Sequence, residues 1–137
     1  MTDDEKREAR KKVLEQKEKM SSRISDLCRY IGFGLVAVVY TILTSESKVV
    51  ISIYEHYTDW LLGIAFLGLL TIIFDYLQYL GGYYSVEKAL KNEAGNYQYD
   101  DESFWYCLRN SAFIFKQSTA FIGALILVFV IGVSAIH

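Results

Sequence analysis

The chain of 137 residues is 53% hydrophobic and 22% charged, with charges crowded into residues 3–26 and 87–116 and apolar residues gathered in three blocks. That segregation excludes a soluble core, which interleaves the two classes, and fits helices that cross a lipid bilayer. A net charge of -2 without a basic face speaks against nucleic acid as a partner, and two cysteines far apart, Cys28 and Cys107, are too few for a zinc site.

Thr2-Asp3-Asp4-Glu5 reads as a capping box, with Thr2 as N-cap and Glu5 reaching back. Asp3 with Arg7, Glu8 with Lys12 and Glu15 with Lys19 follow at helical spacing and predict a solvated helix over residues 3–20. Its apolar residues, Val13, Met20, Ile24 and Leu27, form a thin stripe suited to a weak coiled-coil contact or to resting on lipid headgroups. About twenty-five mixed-charge residues precede the first apolar block, unlike the short basic region of a cleavable signal peptide. That block is therefore expected to stay as a signal anchor.

Three spans are predicted, at about 27–44, 60–80 and 119–136. The first has Arg29 and Tyr30 at its start. The second is unbroken from Trp60 to Phe74 and runs on through Asp75 to Gly81-Gly82. On insertion scales the third gains about -5 kcal/mol from its Leu, Ile, Val and Phe, the second about -4.5 and the first about -3.6. No proline occurs, so long uninterrupted helices are expected.

Between spans one and two, residues 45–59 form an outer loop in which Val49–Tyr54 reads equally as a strand, a surface helix or an extension of span one. Between spans two and three, Ser85–Ala94 reads as a short helix stopped at Gly95, and Asn96–Glu102 as an acidic loop. Asp100, Asp101 and Glu102 suit the start of a new helix. That helix carries Phe104, Trp105, Leu108, Ala112 and Phe115 on one face and is expected to run directly into span three.

Nine Lys and Arg residues lie up to Arg29, four between spans two and three, and only Lys48 in the outer loop. The positive-inside rule then places the N-terminus in the cytoplasm and the C-terminus on the opposite side of an inner or plasma membrane. Trp60, Tyr54 and Tyr57 suit the outer interface, and Tyr30, Tyr76, Tyr79, Tyr83 and Tyr84 the inner one. The expected fold is all-α, an integral membrane protein with three transmembrane helices. Residues 1–26 form its charged cytoplasmic helix, and residues 27–137 a three-span domain with a cytoplasmic helical loop, 85–118, whose amphipathic helix leads into the third span.

Each span carries a stripe of small or polar residues at three-to-four spacing. On span one it is Tyr30, Gly34, Ala37, Thr41 and Thr44; on span two, Gly68, Thr71, Asp75, Gln78 and Gly82; on span three, Lys116, Ala120, Gly123, Leu127, Val130 and Ser134. In lipid, helices associate through close backbone approach and a few hydrogen bonds rather than a hydrophobic gain. Gly34, Ala37, Thr41, Gly68, Ala120 and Gly123 are thus the expected packing positions, within one chain or between copies.

Asp75 is the ionisable residue inside an apolar block. It lies fifteen residues after Trp60, about 22 Å along the helix and roughly 8 Å from the inner edge of a 30 Å core. A carboxylate there needs a cation or a proton. Lys116 is the best-placed partner and Arg29 the second. An Asp75–Lys116 bridge would fix helix register, whereas Thr71, Asp75 and Gln78 together could instead line a proton- or cation-responsive site.

His56, beside Glu55 and Asp59, reads as a solvated loop histidine rather than a metal-touching cluster, and His137 as idle. No nucleophile with a base, no metal-ligand set and no nucleotide motif is present, so no cofactor is expected and the chain reads as non-enzymatic. The leading expectation is an anchor or scaffold subunit, self-associating as a homo-oligomer in the lipid bilayer. Its cytoplasmic segments 3–26 and 85–116 would dock a protein partner. The alternative is an oligomeric pore-forming or membrane-perturbing effector with a polar stripe centred on Asp75, although one intramembrane acid is thin provision for a selective channel.

Overall fold

The computed structural model describes residues 3–91 and 102–136, and these are three helices: α1 (Asp3–Thr44), α2 (Lys48–Leu90) and α3 (Phe104–Ile136). All three are long and apolar enough to cross a membrane. Their best eighteen-residue windows reach mean hydropathies of 1.7, 2.0 and 2.6, the same ranking that the insertion energies give.

The helices are longer than the sequence pattern suggests. Residues 3–20 and the first span are one rod of 42 residues, about 63 Å at helical rise. Nothing between Met20 and Leu27 breaks it, and Glu8 pairs with Lys12 at 2.9 Å along its exposed face. Thr2, the expected N-cap, lies outside the described residues.

The outer loop contracts to Ser45–Ser47. Residues 48–56 are helical, as one of the three readings allowed, but they extend span two rather than span one. Tyr57, at φ -126° and ψ 22°, marks the kink where this segment joins the span.

At its other end α2 passes straight through Gly81-Gly82 to Leu90, so the separate short helix expected from Ser85 does not form. Gly81 does not break the helix because it is packed. A Cβ built there would stand 2.9 Å from the Trp105 carbonyl oxygen on α3. Lys91 closes the helix by donating its backbone N–H to Glu87 O at 3.2 Å and its ammonium to Glu87 Oε1 at 2.6 Å. The expected stop at Gly95 and the acidic residues Asp100 and Asp101 lie outside the described residues. α3 runs unbroken from Phe104 into the third span, as its pattern implies, and its first bond is Cys107 N–H to Ser103 O at 3.0 Å.

α2 and α3 form the closest pair, and α1 leans mainly on α2. The apolar core is Leu35 and Val39 from α1, Leu61 and Ile64 from α2, and Val130 from α3. Around it the polarity is inverted relative to a water-soluble bundle. Phe121 and Val128 face outward at 65% and 69% exposure while Lys116 is fully buried. Burial of this kind is tolerable only if the charge inside is paired and the surface outside meets lipid.

Candidate functional site

The site forms where the three helices converge at the end rich in cations, called here the basic end. α2 places Asp75 at its centre, 5% exposed. Lys116, one helical turn below Ala112 on the inner face of α3, donates from Nζ to Asp75 Oδ1 at 2.7 Å. Arg29 on α1 donates from Nε to Asp75 Oδ2 at 2.7 Å. Ser25, one turn before Arg29, donates to Asp75 Oδ1 at 3.1 Å and accepts a short hydrogen bond from Lys116 Nζ. One carboxylate thus ties all three helices together, and each of its oxygens has a cation.

Peripheral contacts complete the cations' valence. The Arg29 Nη2 donates to the Tyr79 hydroxyl at 2.8 Å, with the guanidinium carbon 5.3 Å from the Tyr79 ring centre. Asp26 approaches Arg29 Nη1 at 3.7 Å from the exposed side. The Lys116 ammonium lies 5.5 Å from the Phe113 ring centre. In a low-dielectric setting, an ion pair repays its desolvation only when further hydrogen bonds satisfy the remaining donors, and this arrangement meets that condition.

The other expected site residues divide. Thr71 is buried one turn from Asp75, but its hydroxyl bonds Leu67 O at 2.9 Å and Thr119 Oγ1 at 2.8 Å, so it pins α2 to α3 and does not touch the carboxylate. Gln78 lies on the same face of α2, and its Oε1 is buried without a hydrogen-bond partner among the described residues. Gly68, Ala120 and Gly123 are buried between helices. Gly34, Ala37 and Thr41 are not: all three lie on the outward face of α1, and nothing stands within 4 Å of a Cβ built at Gly34. The inward face of α1 is one step round, through Ser25, Cys28, Gly32, Leu35 and Val39. There a Cβ on Gly32 would lie 3.1 Å from Gly68 O, and one on Gly68 only 2.8 Å from Gly32 O, so the two backbones touch.

Sequence reasoning therefore missed Ser25, Tyr79, Thr119 and Gly32. Ser25, Arg29 and Gly32 share a helical face at four-then-three spacing, which was a usable signal. Tyr79 and Thr119 carried none beyond lying one turn from Asp75 and Lys116. Elsewhere, His56 holds its ring nitrogen 3.0 Å from Ser52 O within its own helix. No three His, Cys, Asp or Glu side chains gather to hold a metal ion among the described residues. Cys28 is buried and Cys107 exposed. His137 is outside the described residues.

The chain matches no family model, no curated protein and no solved structure.

Proposed function

We propose that this chain is a non-enzymatic membrane subunit, an anchor or scaffold, with the basic end and N-terminus in the cytoplasm and the C-terminus on the opposite side. The observation that carries the reading is the arm of α1. Residues 3–24 continue the helix past the charge cluster at Ser25, for about 33 Å at helical rise, and all of them but Ser21 are exposed. Three packed spans need no such extension, whereas a docking element does.

The arm's apolar stripe is uncovered. Val13, Met20, Leu27, Gly34 and Thr41 recur every seven residues with Ile24, Ile31 and Val38 between them, and all are exposed. That is the a/d spacing of a coiled-coil seam. A second copy in the same membrane has the same orientation and depth, so the seam meets itself in register. This supports self-association through α1. Tyr83, Val86 and Leu90 on α2 and Phe104 on α3 are exposed at the same end and offer a cytoplasmic partner a second surface.

The charge cluster supports a lock rather than a conduit. Both oxygens of Asp75 are engaged by cations on two other helices, and Thr71 is spent on α3. The test is recovery of a co-purifying protein from native membranes with the full chain and with residues 1–22 deleted. Loss of that protein, with the shortened chain still inserted, supports docking through the arm. Unchanged recovery sinks it.

A further inference from the structure

Above Ser25, α1 parts from the α2–α3 hairpin and leaves a cleft of about 790 Å³. Lys17, Ser21 and Ser22 line its α1 wall, and Arg109 and Asn110 face them from α3. Tyr79 stands at the side, and Ser25, tied to Asp75 and Lys116, closes the floor.

Three observations point to one kind of occupant. The first is charge. Beneath the floor Lys116 and Arg29 share the Asp75 carboxylate, and Asp26 meets Arg29 from the exposed side at 3.7 Å. Lys17 and Arg109 stand in the walls, and Glu18 is the one acid among the described residues that line it. The second is donors. Ser21, Ser22 and Asn110 present hydroxyl and amide hydrogens, and the Tyr79 hydroxyl, which accepts from Arg29, keeps its own proton to donate. The third is depth. Ser25 bonds Asp75, whose expected place is roughly 8 Å inside the inner edge of the core, and Ser21 and Lys17 stand about 6 and 12 Å further out along α1, so the cleft straddles that edge, where headgroups begin.

We infer that this cleft seats the phosphate headgroup of an anionic phospholipid from the adjoining leaflet. The proposed cytoplasmic orientation enters only in naming the leaflet, so a failure of the lipid site leaves that orientation standing and the converse also holds.

The test is native mass spectrometry of the full chain in mild detergent, offered equal amounts of phosphatidylglycerol and phosphatidylcholine. One phosphatidylglycerol per chain is expected to survive release from the micelle. The K17Q/R109Q double variant is expected to lower that preference by roughly fivefold for each cation removed. S22W, which fills the cleft and leaves every charge in place, is expected to lose the lipid as well. K6Q/K11Q, with the same charge change on the exposed arm, is expected to retain it. Equal retention of both lipids, retention by S22W, or equal loss in K6Q/K11Q would overturn the assignment. Displacement of phosphatidylglycerol by inorganic phosphate would also overturn it, by making the site one for a soluble anion.

Discussion

Lys116 Nζ and Asp75 Oδ1 lie 2.7 Å apart, joining helices α3 and α2 with no solvent on the lysine. The pair differs from a surface salt bridge because neither charge can return to water when the other is removed. Lys116→Met is therefore expected to cost about 3–5 kcal/mol, the usual range for breaking a buried pair from one side. Asp75→Leu combined with Lys116→Met is expected to recover most of that loss, since Arg29 is then left with access to solvent at 34% exposure. By contrast Thr71→Val, which removes one interhelical hydrogen bond, is expected to cost only about 0.6 kcal/mol. Reversible unfolding in mixed micelles measures all three. A double variant less stable than Lys116→Met alone would show that the pair is not what holds this end together.

The Gly32–Gly68 crossing makes a sharper steric prediction. A methyl group on Gly68 meets backbone, the carbonyl of Gly32 at 2.8 Å, which cannot swing aside as a side chain can. Gly68→Ala is expected to lose about 1–3 kcal/mol by forcing α1 and α2 apart. Gly34→Ala, with open space around the new methyl, is expected to lose nothing in the isolated chain. Gly34→Ile adds a separate outcome in the same set, a shift from oligomer to monomer in detergent without loss of fold, because Gly34 lies on the seam proposed for self-association. Equal destabilisation by Gly68→Ala and Gly34→Ala would mean that the α1–α2 crossing is not the one described.

The proposed orientation is testable through the two thiols. Cys107 is exposed near the start of α3, whereas Cys28 is buried at 6% exposure. A membrane-impermeant maleimide is expected to leave intact cells unlabelled and to label Cys107 in inverted vesicles, with Cys28 reacting only after unfolding. Labelling of Cys107 from outside intact cells would reverse the topology.

Much of this architecture was legible in the sequence because a bilayer imposes coarse, one-dimensional constraints. Three apolar blocks of sufficient length gave three helices, and a lone intramembrane acid pointed to partners at the same depth, Lys116 and Arg29. Two kinds of feature were not legible. Helix ends were misjudged where a usual stop signal is overruled by packing. Gly81-Gly82 reads as a break, but α3 packs its backbone against Gly81, and the helix continues to Leu90. Which side of α1 packs within the chain is not legible either, because two stripes of small residues lie next to each other on that helix. Gly32 and Gly34 are equivalent in composition, and only the position of Gly68 on α2 selects Gly32.

Ion flux from liposomes holding the purified chain, beside its Asp75→Asn variant, tests most directly whether the charge cluster locks an anchor or lines a path. With both oxygens of Asp75 engaged by cations from α1 and α3, the account predicts no flux above empty liposomes for either protein, with Asp75→Asn less stable and equally silent. Flux through the wild type that Asp75→Asn abolishes would contradict it and turn the cluster into the centre of a conducting assembly.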